Sequence, residues 1–171
     1  MQRNLIIISV LAFLLTSCWP SSISLIDVGG MPEEWKTFTL KTLENKAPNT
    51  PLSYAAVLSE ETKDAIQNNT RLLLNPENGA GELSIEGVIT NYTITPVALQ
   101  EGDNSQKNRL SISVEFSIFV SKPKEEKITL NSTRFIDYDS STDLATAESG
   151  LLEEVNNQIT QDLINKLMSN W

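Results

Sequence analysis

Cys18 is the only cysteine among the 171 residues, and it is the side chain best suited to covalent chemistry. Arg3 gives the preceding segment a positive charge, residues 5–15 are almost all apolar, and the small residues Thr16 and Ser17 come directly before the cysteine. A basic segment, an apolar segment and small residues at a cut site are typical of a secretory signal peptide. The apolar run is too short for a membrane-spanning helix, which needs about 20 residues.

The sequence Leu15-Thr16-Ser17-Cys18 has the form of a bacterial lipobox. In proteins with this motif the cysteine sulfur is diacylated, the signal is removed before the cysteine, and the new amino group is usually acylated too. Two or more acyl chains make membrane attachment stable. We therefore predict residues 1–17 as a removed lipoprotein signal peptide and Cys18 as the lipidation site. The alternative is an ordinary secreted protein with a cysteine near its cut site.

Histidine is absent from the sequence, which excludes a Ser-His-Asp triad, a Cys-His pair and a zinc site of His and Cys ligands. Asp137 and Asp139 could offer oxygen ligands, but no EF-hand spacing surrounds them, and we interpret them as a strand end and turn. Adjacent glutamates point to different faces of a strand or helix, so they form no facing acid–base pair. We predict no catalysis, no metal and no cofactor beyond the covalent lipid. The adjacent glutamates are Glu60-Glu61, Glu125-Glu126 and Glu153-Glu154.

The net charge of −9 at pH 7 gives the protein an acidic surface. Nucleic-acid binding depends on Lys and Arg side chains that neutralise phosphates, so we predict that nucleic acid is not a partner. The same charge disfavours adsorption of the whole protein surface to an anionic membrane. Anchoring is therefore left to the acyl chains, whose buried methylenes contribute about 0.8 kcal/mol each.

Alternation of apolar and polar residues predicts the strands. The clearest is 109–121, in which apolar residues from Leu110 to Val120 alternate with polar ones. Strand 82–97 changes phase near Gly87, where a bulge would account for the change. Residues 102–108 are predicted to form a hairpin loop, and residues 122–126 are predicted to form a tight turn. The other predicted strands cover residues 36–43, 71–74 and 127–137.

Two segments show the helical spacing of apolar residues. The first covers residues 52–68, with Thr50 as its N-cap. The second covers residues 143–168, with Ser140 as the N-cap of a capping box that Asp143 completes. Residues 44–51, which contain two prolines, are predicted as a loop.

Strands with one apolar and one polar face are covered by helices on one face only. We therefore predict an α+β fold: two helices packed on one face of a mostly antiparallel four- to five-stranded sheet. The other face, rich in Ser, Thr and Asn, is expected to be wet or to meet a polar partner. On this basis residues 18–30 form a lipidated tether and residues 31–171 a single α+β domain.

Six segments in a fixed order also carry a family resemblance. They read LENKAP at 43–48, LSIEGVITNY at 83–92, PVALQ at 96–100, NRLSISV at 108–114, RFIDYDSS at 134–141 and SNW at 169–171. Together with the lipobox, this set resembles the lipopolysaccharide-assembly lipoproteins of the LptE type, in the form found in Bacteroidetes-like bacteria.

The resemblance implies a protein of the outer membrane that docks inside a large β-barrel translocon of the LptD type. Such proteins help the barrel assemble and assist insertion of lipopolysaccharide into the outer leaflet. A polar sheet face would suit a barrel lumen, which is polar. Trp19 stands where an aspartate would retain a lipoprotein at the inner membrane, and no acidic export run follows it. We therefore predict a lipid anchor at the periplasmic face of the outer membrane.

Five basic residues are the candidates for contact with lipopolysaccharide, whose phosphates would call for a basic patch. Lys122, Lys124 and Lys127 surround the predicted turn, and Lys107 and Arg109 lie at the other end of the same strand. Two glutamates in the turn dilute the charge. The other interpretation is a solvated turn that discourages edge pairing of strands.

The alternative function is a lipid-anchored periplasmic module that binds another envelope component or a small ligand. A deep apolar pocket between the helices and the sheet would favour this function, because small-molecule sites are concave and mostly apolar. A filled core would not favour it.

Overall fold

The computed structural model describes residues 30–77, 81–97 and 106–169. The predicted signal peptide, Cys18 and the predicted tether up to residue 29 lie outside the described residues, as do most of the predicted hairpin loop and Trp171. The predictions made for these segments therefore stay predictions.

The described chain forms six strands and two helices, as an α+β fold requires. No helix in these ranges has the length and apolar character needed to cross a bilayer. The elements are β1 (Thr37–Leu40), β2 (Glu44–Asn45), α1 (Tyr54–Asn69), β3 (Leu73–Leu74), β4 (Leu83–Val97), β5 (Lys107–Val120), β6 (Glu126–Asp139) and α2 (Leu144–Met168).

The sheet is mixed, with the strand order β3-β1-β4-β5-β6 and with β2 paired to β4. Strands β4, β5 and β6 form two long antiparallel hairpins, as predicted. Strand β1, however, lies parallel to both β3 and β4, and β2 lies parallel to β4. The predicted sheet of four to five mostly antiparallel strands was therefore only roughly right. Helix α1 returns the chain between β1 and β3, which lets these two strands run parallel.

The core lies between one face of the sheet and the two helices, which contact each other. Alternate residues of β5 are fully buried while their neighbours are partly or fully exposed, so the predicted faces of this strand are confirmed. The helices contribute a stripe of buried apolar residues. Its members are Leu58 and Ile66 of α1 and Val155, Ile159, Leu163, Ile164 and Leu167 of α2.

The irregularity of strand β4 lies after Gly87, the residue at which a bulge was predicted. The register with β5 shifts between Ile89 and Asn91, so Gly87 is not the bulge residue. Gly87 instead allows a close approach, because a Cβ atom there would lie 2.8 Å from Cγ of Leu43 and 3.2 Å from Cδ1 of Phe116. The missing side chain of Gly87 makes room for Leu43 and Phe116. The alternation of apolar and polar residues could not reveal this contact.

Both predicted N-caps were wrong. Helix α1 begins at Tyr54 after Ser53, and the Thr50 hydroxyl donates to the carbonyl oxygen of Ala47 at 3.0 Å instead of capping the helix. Helix α2 begins at Leu144, with Asp143 in the N-cap position, so Ser140 precedes the helix.

Candidate functional site

The most distinctive surface of the described domain is the sheet face that the helices leave uncovered, here called the open face. Side chains of the long strands that point away from the helices form it. In β5 and β6 these are the odd-numbered residues, whose exposure alternates with that of the residues facing the helices. The central members are small polar residues and one exposed carboxylate: Ser111, Ser113, Glu115, Ser117, Thr129, Asn131 and Thr133.

Hydrogen bonds run across the open face between neighbouring strands. The hydroxyls of Ser113 and Thr133 are 2.9 Å apart, and the Asn91 amide donates to the carbonyl oxygen of Ser111 at 3.3 Å. These partners hold the side chains in place and leave spare donor and acceptor capacity toward the exterior. The open face therefore offers hydrogen bonds to a polar surface and little apolar area.

Each end of the open face carries an exposed aromatic ring beside a cation. At one end the Arg109 guanidinium lies 3.9 Å from the centre of the Phe135 ring and donates to both oxygens of Asp137, at 2.7 and 2.8 Å. At the other end the Lys127 ammonium lies 5.3 Å from the centre of the Phe119 ring. The hydrogen bonds from Arg109 hold the pKa of Asp137 below its ordinary value.

The five basic candidates are not brought together. Lys107 and Arg109 begin β5, while Lys122, Lys124 and Lys127 surround the turn after it. Thirteen residue steps along a strand at about 3.3 Å each put the two groups roughly 40 Å apart. Lys122 also lies 3.8 Å from a carboxylate oxygen of Glu82. These residues therefore form two separate groups, and their contact with lipopolysaccharide stays a prediction.

A polar link joins the edge strand β6 to helix α2. Asp162 accepts hydrogen bonds from the Ser132 hydroxyl at 2.6 Å, from Nε of Arg134 at 2.8 Å and from Nη2 of Arg134. Burial by itself would raise the pKa of Asp162, but these hydrogen bonds and the Arg134 charge hold it below its ordinary value. Arg134 lies on the same side of β6 as Ile128 and Ile136, and the contact with Asp162 explains how a charged side chain is accommodated there.

A second polar link crosses the core between the helices. The Tyr54 hydroxyl donates to Oδ1 of Asn156 at 2.7 Å, and the Asn156 amide donates to Glu61 at 2.7 Å. The Tyr92 hydroxyl donates to Glu148 at 2.6 Å, so α2 is also joined to β4. Burial raises the pKa of both tyrosines, and they remain neutral donors. Sequence reasoning missed this link, since a polar residue on a helix shows its partner only once the helices pack.

The acidic candidates have structural partners. Asp139 ends β6, and its carboxylate accepts from the backbone N–H of Ser141 at 2.8 Å, which confirms the interpretation of a strand end and turn. Across the described ranges, no group of three or more His, Cys, Asp or Glu residues is placed to hold a metal ion.

The space between the helices and the sheet is occupied by one continuous cluster of buried side chains. Depressions of the described residues lie at the surface. The first, of about 470 Å³, lies at the turn end of the open face beside Ser84, Phe119 and Lys127. The others lie beside Lys41 and Lys63, and between Arg134 and the amide residues of α2.

Comparison with known proteins gives one family. The family model LptE, described as lipopolysaccharide-assembly, matches residues 35–169. No curated protein matches the chain in sequence.

Three similar solved structures support the fold alone, because their sequence identity is low. The hypothetical protein CT253 from Chlamydia trachomatis has a TM-score of 0.54 and 13% identity, with 78% of this chain and 98% of that chain covered. Protein XCC0632 from Xanthomonas campestris has a TM-score of 0.52 and 11% identity, with 81% and 86% covered. The PelC dodecamer from Paraburkholderia phytofirmans has a TM-score of 0.50 and 12% identity, with 83% and 92% covered.

Proposed function

This chain belongs to the LptE lipopolysaccharide-assembly family, and from that premise we propose that it is a lipid-anchored outer-membrane subunit that docks in an LptD-type β-barrel. In this role it helps the barrel assemble and assists insertion of lipopolysaccharide into the outer leaflet. The family works as a non-enzymatic assembly factor. The observation that carries the docking role is the open face, a broad polar surface in a domain of that family.

The chemistry of the open face suits the interior of a barrel. Lumen-facing residues of outer-membrane barrels are polar, while the outward band is apolar. Ser, Thr and Asn side chains on β5 and β6 can exchange hydrogen bonds with such a wall, and the Glu115 carboxylate among them would need a donor from the wall. Strands of 14 and 15 residues make the surface long enough for many such contacts.

The place where the chain enters the domain supports one orientation of the anchored domain relative to the membrane. The Trp35 indole N–H donates to the carbonyl oxygen of Lys122 at 2.8 Å, so the start of the domain lies at the β5–β6 turn. A fully extended segment from Cys18 to residue 30 spans at most about 40 Å. With Cys18 acylated, the turn end would stand toward the inner leaflet and the Arg109 end would lie farther into the barrel.

Co-purification with the barrel tests the role. We expect the acylated protein to be recovered from outer membranes with one barrel partner in a ratio of about 1:1. Recovery only as a free protein under gentle extraction contradicts the proposal.

A pair of matched variants tests which surface docks. Glu115→Trp places a bulky ring at the middle of the open face, and Glu153→Trp places the same ring on the exposed side of α2. We expect Glu115→Trp to lower the amount of protein recovered with the barrel at least about tenfold. A tenfold change corresponds to a loss of about 1.4 kcal/mol of binding free energy. Equal recovery of the two variants would assign docking to another surface.

The lipid-anchored binding module remains the second candidate from the sequence. It would need a ligand cavity between the helices and the sheet, and there the described residues pack as one buried cluster. No specific observation favours it over barrel docking.

A further inference from the structure

Strand β6 ends the sheet, and its outer side has no neighbouring strand among the described residues. The backbone N–H of Ser140 donates to the carbonyl oxygen of Gln106, so even-numbered positions of β6 bond to β5. In an antiparallel ladder the hydrogen-bonding direction alternates, so odd-numbered positions point their N–H and C=O groups outward. The result is a 14-residue edge with free pairing groups and no internal proline.

Exposed edges of this length pair with other strands unless charges, prolines or covering elements prevent it. The charge that points inward from this edge, Arg134, is already neutralised by Asp162. Lys127 and Asp137 also lie on this edge, so it is open to an added strand that sets opposite charges against them.

The sequence of β6 has complementary pairs in the antiparallel register centred on Ser132, although this register also sets Leu130 opposite Arg134. With Ser132 at the centre, Lys127 of one copy faces Asp137 of the other, and Ile128 faces Ile136. Odd-numbered positions then face odd-numbered positions, which the outward direction of their backbone groups requires. The charge pair and the apolar pair each occur twice, because the arrangement is symmetric.

The neighbouring strands extend this complementarity across the sheet. Arg109 lies opposite Asp137 and Phe119 opposite Lys127, so a row across two copies would read Arg109, Asp137, Lys127, Phe119. Each charge in that row stands between partners that attract it. On the helix side, Ile118 and Leu110 flank the isoleucine pair and continue an apolar row.

The exposed side of helix α2 beside this edge is also suited to a copy of itself. A surface depression of about 460 Å³ lies beside the contact between Arg134 of β6 and Asp162 of α2. Amide side chains carry both donors and acceptors, so the same residue can pair with its own copy across a twofold axis. The amides are Asn157, Gln158, Gln161 and Asn165.

We propose that β6 pairs with β6 of a second copy of this chain, in the antiparallel register centred on Ser132, whenever the protein is free of a barrel. The pairing closes the free edge, and it does not depend on the barrel-docking role. A failure of barrel docking would leave it untouched, since the purified chain alone forms it.

Sedimentation equilibrium of the purified full chain in density-matched detergent tests the association. We expect a concentration-dependent monomer–dimer equilibrium. Lys127→Glu turns two attractive pairs into two repulsive ones and should weaken the dimer about tenfold, at a few tenths to 1 kcal/mol per pair. Lys46→Glu makes the same charge change at an exposed position beside β2, on the other side of β4 from β6, and should leave the equilibrium unchanged. A monomer at every concentration, or equal effects of both variants, overturns the proposal.

Cysteine cross-linking tests the register, since an acylated Cys18 leaves no other thiol in the chain. A mixture of Asn131→Cys and Thr133→Cys chains should form a mixed disulfide, because these positions face each other. Asn131→Cys mixed with Thr129→Cys, two equally exposed positions that do not face each other, should not. Equal cross-linking in both mixtures overturns the register.

A proline variant separates edge pairing from folding. Thr133→Pro removes an outward-pointing N–H and leaves the ladder with β5 intact, as proline tolerates edge positions of this kind. We expect a folded monomer, judged by an unchanged circular dichroism spectrum. A folded Thr133→Pro dimer would contradict pairing through β6.

Discussion

The link between β6 and α2 predicts a measurable loss of stability in Asp162→Ala. This substitution removes the acceptor of three hydrogen bonds at once. The Ser132 residue is only 2% exposed, so its hydroxyl would be left buried without a partner, which costs about 1–2 kcal/mol. The Arg134 side chain is 43% exposed and can be hydrated, so its part is at most about 1 kcal/mol. The expected total is therefore about 2 kcal/mol.

Urea unfolding followed by circular dichroism measures this difference, and thermal unfolding should show a Tm lower by roughly 4–8 °C for a domain of this size. Asp162→Asn keeps an acceptor for Ser132 and should lose about half as much. Asp64→Ala, the same truncation at an exposed position of α1, should lose less than about 0.5 kcal/mol. If Asp162→Ala and Asp64→Ala unfold at the same urea concentration, the reasoning is refuted.

The pH dependence gives the link a second test. The pKa of Asp162 is lower in the folded protein than its ordinary value, so its contribution is fully present above the unfolded value of about 3.9. It is lost as pH falls through the folded pKa. The stability difference between wild type and Asp162→Ala should stay constant from pH 7 to about pH 5 and narrow below about pH 4. A difference that widens toward acid would contradict the assigned sign.

Three further outcomes are expected. Tyr54→Phe leaves Oδ1 of Asn156 buried without its donor and should cost about 1–2 kcal/mol in urea unfolding; a neutral result would mean that water replaces the donor. Gly87→Ala forces a methyl group against Leu43 and should cost about 1–3 kcal/mol, with partial recovery in the double variant that also carries Leu43→Ala; equal stability of Gly87→Ala and wild type would show that the strand shifts freely. Cys18→Ala should move the protein from the membrane to the soluble fraction, and retention would mean that the barrel holds it without the anchor.

Much of the fold could be predicted from local periodicity. The alternation in β5 and β6 identified which side of each strand is buried, and helical spacing located α1 and α2 to within a few residues. Helix starts were less accurate, because Ser, Thr and Asp residues near both helices were all plausible N-caps. Leu52, the first residue of the predicted helix 52–68, lies before α1 and is fully exposed.

The candidate site was predictable only in part. A polar sheet face was expected from the Ser, Thr and Asn residues of the strands, and the open face is the surface that the helices leave uncovered. The basic residues lie as the sequence predicted, with Lys107 and Arg109 at one end of β5 and Lys122, Lys124 and Lys127 around the turn at the other end. The sequence could not show their partners, such as Asp137 for Arg109 and Glu82 for Lys122.

The sequence by itself determined the faces of strands and helices and predicted the lipid anchor at Cys18, since both depend on residues close together along the chain. The tertiary structure alone decided the parallel pairing of β1, the close approach of Leu43 to Gly87, and the partnership of Arg134 with Asp162. The physical reason is that alternation reports only whether a side chain is buried. Strand direction and the partner of a buried polar group depend on how the whole chain packs, which local spacing does not encode.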